Sequence, residues 1–420
     1  MWTAIKSSWA LFIGMIFLMV SNGLLATLLT LRADDLGFSA SGIGLMQSAY
    51  PVGSLLGCLI APRLIVGVGH IRTFAALASV ASVAALVHLI TYDLFSWGAM
   101  RLLSGFCFSG LYIVAESWLN GRADNNTRGS LLSIYFVIQT GGVTIGQLLL
   151  NLSSPEGIFL FILVSILISL SLVPMLISAS ATPSYELPER ITFSELFKLS
   201  PMGLTGSFVN GVSQGALYVA LALYGGAIGF SSGAIGTLIG FLTLGGMLAQ
   251  FPLGKLSDRV DRRFVIVGAP ALTIPVCYYL ATLESPLDSS VLLFGLVGLL
   301  GALILPLYSI CMAHMNDYLK PSQMVAASGT LVLIFALGMV FGPTLGSVAV
   351  EHFGPEGLFY LLSITSALTV STALFRLWSG QPSVSSSIPA VAMTTNLTPE
   401  ATNLFPATPS QSSEKNKVDG

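Results

Sequence analysis

Apolar residues in this chain come in long blocks separated by short polar stretches, without the alternation of a half-buried strand. The blocks fall near residues 9–31, 42–66, 71–91, 94–119, 130–151, 156–177, 201–224, 232–253, 263–283, 290–313, 322–347 and 355–377. Each is close to or above the ~20 residues a helix needs to cross a bilayer. The pattern predicts an all-α membrane protein with twelve transmembrane helices. The first block is too long for a signal-peptide core and has no convincing cleavage site, so it is expected to stay as the first helix. Between the sixth and seventh blocks, residues 178–200 hold Pro183, Glu186, Pro188, Glu189, Arg190 and Glu195. That stretch reads as a cytoplasmic linker between a six-helix bundle at 1–177 and another at 201–378. Residues 379–420 are rich in Ser, Thr, Pro and Asn, have little to bury, and are expected to form a disordered tail.

Composition sharpens the class. Hydrophobic residues make up 54% of the chain and charged residues 9%, against roughly 25% charged in soluble domains, so no soluble core accounts for it. The net charge of −2 says little, because what orients a membrane protein is the side on which its basic residues fall. Of the 17 Lys and Arg, only Arg32 and Arg101 lie off one face if both termini are inside. The asymmetry predicts cytoplasmic termini and residence in the plasma (inner) membrane. Cys58, Cys107, Cys277 and Cys311 all sit inside apolar blocks without metal-ligand spacing, which suits packing residues. No metal or cofactor is expected, and no nucleophile-and-base pattern marks an enzyme.

Charge is densest at Gly254-Lys255-Leu256-Ser257-Asp258-Arg259-Val260-Asp261-Arg262-Arg263. It reads as a tight basic loop between two spanning helices, with Gly254 permitting the close turn. This decapeptide resembles the G-x-x-x-D-R-x-G-R-R signature of the major facilitator superfamily, with Asp261 where the second Gly would stand. The resemblance implies a secondary transporter, and a cytoplasmic gate formed by Gly254, Asp258, Arg259, Arg262 and Arg263. In that family the eighth helix meets the fifth on this side, so Asp258 is expected near the start of the fifth, at Ser130. Arg262, one turn on, is placed to hold it. The first-half copy of the loop has Val66 where Asp258 falls.

The halves repeat. Val20-Ser21-Asn22-Gly23 recurs 192 residues on as Val212-Ser213-Gln214-Gly215, and Leu36-Gly37-Phe38-Ser39 as Ile228-Gly229-Phe230-Ser231. The offset then grows to 196, pairing Leu111-Tyr112 with Leu307-Tyr308, and Gly142 and Gly146 with Gly338 and Gly342. Parallel halves of this kind place a substrate site between them near the midplane. The segments 116–120, 61–64 and 68–72 resemble the YcaD-like branch of the superfamily.

Asn22 and Gln214 are repeat equivalents, each 13 residues past its helix start and so ~20 Å deep. Facing a central cavity they would bind hydroxyls or amides; the alternative is that they bond helices together beside Gly23 and Gly215. Tyr112, Tyr308 and Gln139 are further substrate-site candidates, with His314 and Tyr135 beside them. Arg101 with Gly105 resembles the superfamily's R-x-x-x-G signature, which links it to proton coupling, although it sits only ~10 Å inside Leu94 and has a route outward toward Asp93. Glu116 is the clear intramembrane carboxylate. It is ~22 Å along the helix from Arg101, needs a partner from elsewhere such as Arg122 or Arg128, and suits either a proton carrier or a gate ion pair. The Gly338, Gly342, Pro343 and Gly346 pattern matches a helix-five motif of antiporting relatives, but here it stands in the eleventh block while the fifth has Gly142, Gly146 and Gln147 without the Pro, so close helix packing is the favoured reading. The expected activity is secondary transport of a small, neutral or singly charged organic solute, coupled to protons and carried out by a monomer with no nucleic-acid partner. An uncoupled carrier and a membrane sensor are the alternatives.

Overall fold

The computed structural model describes residues 8–120, 128–177, 200–283, 286, 290–319 and 321–378. The expected linker (178–199) and tail (379–420) lie outside the described residues, as do Lys6, Arg122, Arg190, Lys198, Lys320, Lys415, Lys417 and the side chains of Arg128, Ser130 and Arg376. The described helices are α1 Trp9–Asp35, α2 Ala40–Val68, α3 His70–Val87, α4 Leu94–Asn120, α5 Arg128–Leu148, α6 Phe159–Ile177, α7 Pro201–Ala227, α8 Ser232–Arg259, α9 Arg262–Ala281, α10 Ser290–Ile304, α11 Leu307–Asn316, α12 Pro321–Phe353 and α13 Gly357–Trp378. No strand occurs among the described residues. Eleven spans are long and apolar enough to cross a membrane, with α10 and α11 counted as one. α7 is the twelfth at 27 residues, with Thr205, Ser207, Asn210, Ser213 and Gln214 among its apolar positions.

The repeat seen in the residues is a repeat in space. In the first half α1 packs on α5 and α6, and α2 on α4; in the second, α7 packs on α12 and α13, and α8 on α10. Gly37 and Gly229 close α1 and α7 with φ of 79° and 87°, a conformation that costs glycine least. Phe38 N–H then bonds back to Ala33 O at 3.1 Å, and Phe230 N–H to Gly225 O at 2.9 Å. Ser39 and Ser231 cap α2 and α8 by accepting from Gly42 N and Ala234 N. Two copies of one local recipe thus set two equivalent corners.

Glycines let the central helices touch backbone to backbone. A Cβ on Gly23 of α1 would stand 2.5 Å from Val143 O of α5, and one on Gly342 of α12 2.5 Å from Val212 O of α7. The packing reading of the Gly338–Gly346 stretch is therefore the one the coordinates bear out. The block expected to run unbroken over 290–313 is two helices, because Pro306 has no N–H to continue the ladder. All four cysteines are buried and none forms a disulfide.

The bundles meet where α2 faces α12, α5 faces α8 and α1 faces α7. Hydrogen bonds that cross the seam include Ser41 N to Glu351 Oε2 (2.6 Å), Ser48 Oγ with Thr344 Oγ1 (2.8 Å), Thr144 Oγ1 with Thr243 Oγ1 (2.7 Å) and Asn151 Nδ2 to Thr237 Oγ1 (3.5 Å). All lie in the parts of these helices remote from the charged decapeptide. At the decapeptide itself the expected turn at Gly254 is absent. Gly254 is buried inside α8, which runs on to Arg259, and the chain turns at Val260–Asp261. The exposed Lys255 and Arg259 need no turn to reach water, and a continued helix keeps its own backbone bonded. Asp261 caps α9 by accepting from Arg263 N.

Arg262, 1% exposed, holds Asp258 one turn back at 3.1 Å, as expected, and also Asp317 beyond α11 at 2.8 Å. Arg263 donates to Tyr318. The ends of α8, α9 and α11 are thus clamped by one guanidinium.

This packing can be checked at two positions. Gly342→Val should force α7 and α12 apart and cost about 1–3 kcal/mol, seen as a lower thermal midpoint in detergent, whereas Gly98→Ala, with nothing within 4 Å, should leave it unchanged. Burial pushes the Asp317 carboxyl up to about 6, outweighing the attraction of Arg262. Its folded-state value is above the ordinary 3.8, so the folded form binds a proton that the unfolded chain does not, and stability falls as pH rises from about 4 through about 6. Asp317→Asn should remove that part of the pH dependence of thermal stability and leave the rest.

Candidate solute cavity between the bundles

Between the bundles, at the level of the helix midpoints, lies a cavity of about 210 Å³, below the ~300–1,000 Å³ of pockets for drug-sized ligands. α1, α2, α4 and α5 wall one side, and α7, α8 and α12 the other. Five residues proposed from the sequence line it: Asn22, Gln139, Gln214, Tyr112 and Arg101.

Asn22 is held from two sides. Its Nδ2 donates to Tyr112 Oη at 3.0 Å, and its Oδ1 accepts from Tyr50 Oη at 3.3 Å. Across the cavity Gln214 Nε2 donates to Leu305 O at 3.3 Å. Leu305 precedes Pro306, so the break between α10 and α11 frees this carbonyl from the helix ladder. Each amide bonds to a neighbouring segment, as the packing alternative has it, and each also lines the cavity. Gln214 Oε1 and Gln139 Nε2 are buried without a hydrogen-bond partner.

Arg101 does not reach out to Asp93. It is 4% exposed, with its Cζ 4.4 Å from the centre of the Tyr50 ring. Asp93 instead caps α4 by accepting from Ser96 N at 2.8 Å, and this bond holds its carboxyl below the usual range. The tyrosine face stabilises a guanidinium that has left water.

Other candidates stand elsewhere. Tyr308 does not line the cavity, because its ring packs against Phe335 at 4.4 Å. His314 likewise packs on Tyr318 and lies outside it. Glu116 is 0% exposed, absent from the lining, and accepts from Tyr135 Oη at 2.9 Å. Its neighbour Ser117 bonds with His70 Nε2 at 2.9 Å. Gly254, Asp258, Arg259, Arg262 and Arg263 are at the end of the bundle, away from the lining. Among the described residues no group of three or more His, Cys, Asp or Glu is placed to hold a metal.

Sequence reasoning missed Gln47, Tyr50, Gln147, Tyr218 and Gln250, all lining residues. Gln47 donates to Thr30 Oγ1 (2.8 Å), Gln147 to Gly23 O (2.9 Å) and Gln250 to Ser309 Oγ (2.6 Å). The glutamines carried a readable signal, an amide in the middle of an apolar block. The repeat hid them: position by position their counterparts are Ile239, Pro343 and Cys58. Tyr50 and Tyr218 carry no such signal, since tyrosines in an apolar block resemble core.

Comparison with known proteins agrees with this geometry. The family model described as Major Facilitator Superfamily matches residues 11–231 and 203–409. An uncharacterized MFS-type transporter of Yersinia pestis (strain Pestoides F) is 27% identical over 352 residues, 83% of this chain and 90% of that protein. The uncharacterized MFS-type transporter YcaD of Escherichia fergusonii is 27% identical over 356 residues, 84% and 91% of the two chains. Among solved structures, the nucleoside transporter NupG superposes with a TM-score of 0.72 at 13% identity, over 89% of this chain and 100% of that one. A bacterial homolog of the human lysosomal transporter Spinster, inward-facing and unoccupied, gives 0.68 at 15% identity, over 96% and 97%. Paired helical halves, a cavity between them and a family match that runs through both halves lead to one conclusion: the chain belongs to the major facilitator superfamily of membrane transporters.

Proposed function

We propose that the chain is a secondary active transporter that carries a small organic solute through this cavity by alternating access, driven by protons. The observation that carries the reading is a cavity at mid-depth in the seam between two pseudo-symmetric bundles, with amide, hydroxyl and guanidinium groups set into a largely apolar wall. Short polar contacts bridge the seam beside its apolar packing, and such polar contacts exchange for water at little cost when the bundles part. In this reading residues 1–177 and 201–378 are the two moving units, 178–200 tethers them, and 379–420 is a tail. The basic end faces the cytoplasm of a plasma-membrane monomer. Asn22, Gln214, Tyr112 and Gln139 hold the solute, and Tyr308 supports the wall from behind.

Glu116 and Arg101 are the coupling groups. Glu116, enclosed and bonded to Tyr135, holds the proton, and Arg101 sits where the solute does. Gly254, Asp258, Arg259, Arg262 and Arg263 form the cytoplasmic gate, with Arg262 setting the position of Asp258.

Spin labels placed on α2 and α12 next to the Ser48–Thr344 bond test alternating access directly. Two distance populations whose balance shifts with solute or pH are expected; a single fixed distance would sink the reading. Asn22→Ala should weaken solute binding about tenfold, the value of roughly one hydrogen bond, with folding intact. In proteoliposomes Glu116→Gln should abolish pH-driven flux and spare solute exchange; pH-driven flux that survives in this variant assigns Glu116 to structure. Asp258→Asn should shift labels on the cytoplasmic ends of α5 and α8 further apart, and an unchanged distribution would reduce the decapeptide to a topological anchor.

A further inference from the structure

Arg101 is the one residue of the cavity wall that carries a formal charge at neutral pH; the other titratable groups there are the tyrosines Tyr50, Tyr112 and Tyr218. Among the described residues no carboxylate lies within ion-pair distance of it. Two of its nitrogens, Nε and Nη1, are buried with no acceptor. The carboxylates at the two ends of its own helix are engaged elsewhere, Asp93 at the α4 cap and Glu116 with Tyr135. The ring of Tyr50 offsets part of the desolvation of the guanidinium, but an uncompensated buried charge is costly, and a partner of opposite charge offsets much of that cost. The same wall leaves one donor, Gln139 Nε2, and one acceptor, Gln214 Oε1, unused. A hydroxyl can serve either.

We infer that the cavity takes a small hydroxylated monocarboxylate, whose single negative charge pairs with Arg101 and whose hydroxyls satisfy Gln139 and Gln214. A second negative charge on the solute would find no partner on this wall, and a neutral solute would leave Arg101 uncompensated. The inference rests on the transport reading only in taking the cavity as the solute's site.

Matched probes test it on the full chain in nanodiscs: glucitol, gluconate, gluconamide and glucarate, with glycerol, glycerate, glyceramide and tartronate as a shorter set, each titrated by thermal shift. At least one monocarboxylate should bind about tenfold or more tightly than its neutral and dicarboxylate partners, the effect of a charge-assisted bidentate pair. Arg101→Gln should lose that preference, and Arg101→Lys should keep part of it. The comparison of an acid with its own amide needs no variant, so it decides the matter even if Arg101→Gln fails to fold. The inference is overturned by equal or better binding of the neutral or dicarboxylate members, by an unchanged preference in Arg101→Gln, or by no response to any monocarboxylate. The Ser48–Thr344 distance change separates the two failures: it persists if only the solute assignment is wrong and is absent if the transport reading is wrong.

Discussion

Lipid offers a polar group nothing to bond with, and where this chain's hydroxyls and amides go instead shapes the rest of the molecule. Many serines and threonines bond back to their own helix, as Ser21 does to Leu18 O and Thr273 to Ala269 O. Others tie neighbouring helices within a bundle, as Ser82 does with Ser165 and Gln250 with Ser309. Others again line the cavity where the bundles face each other, some of them bonded and some, such as Gln139 Nε2 and Gln214 Oε1, not. Its asymmetry follows from the same accounting. The first half contributes Asn22, Gln47, Tyr50, Arg101, Tyr112, Gln139 and Gln147, whereas the second contributes fewer polar groups and more of the apolar wall.

Backbone contact is the second constraint. Gly23 against Val143 and Gly342 against Val212 let α1 meet α5 and α7 meet α12 with no side chain between. Close contact leaves little freedom of rotation about the helix axis, so a residue beside the contact points one way only. Asn22 next to Gly23 and Gln214 next to Gly215 are aimed into the cavity on that account. Gln147, following Gly146 in the same contact, reaches Gly23 O and Thr27 Oγ1. Its repeat partner is Pro343, a lining residue without a donor, so one architecture presents an amide on one side and a ring on the other.

Named contacts hold both ends of the molecule. At the end remote from the decapeptide the bundles are joined to each other by hydroxyl and carboxylate contacts. At the decapeptide, Arg262 binds Asp258 and Asp317 within one bundle. It stiffens the helix ends that would have to move together, and its grip on Asp317 is a modest one because burial works against the ion pair.

Spans, halves and equivalent corners are legible in the residues. Hydropathy over twenty positions and an offset of 192 or 196 are local or one-dimensional properties, and lipid leaves a spanning segment no alternative to helix. The amides of Asn22 and Gln214 are legible too, because depth follows from rise per residue. The turn at Gly254 is not: glycine permits a bend without compelling one, and exposed Lys255 and Arg259 are as content at a helix end as in a loop. Tyr308 and His314 share a depth that the residues announce and a face that they do not. Sequence by itself determined which residues lie within the membrane, how deep, and on which side of a two-fold plan. Only the tertiary structure decided which of them meet, because that depends on the rotation of each helix about its axis, and the rotation is set by contacts between residues more than a hundred positions apart, Gly23 with Val143 and Val212 with Gly342 among them.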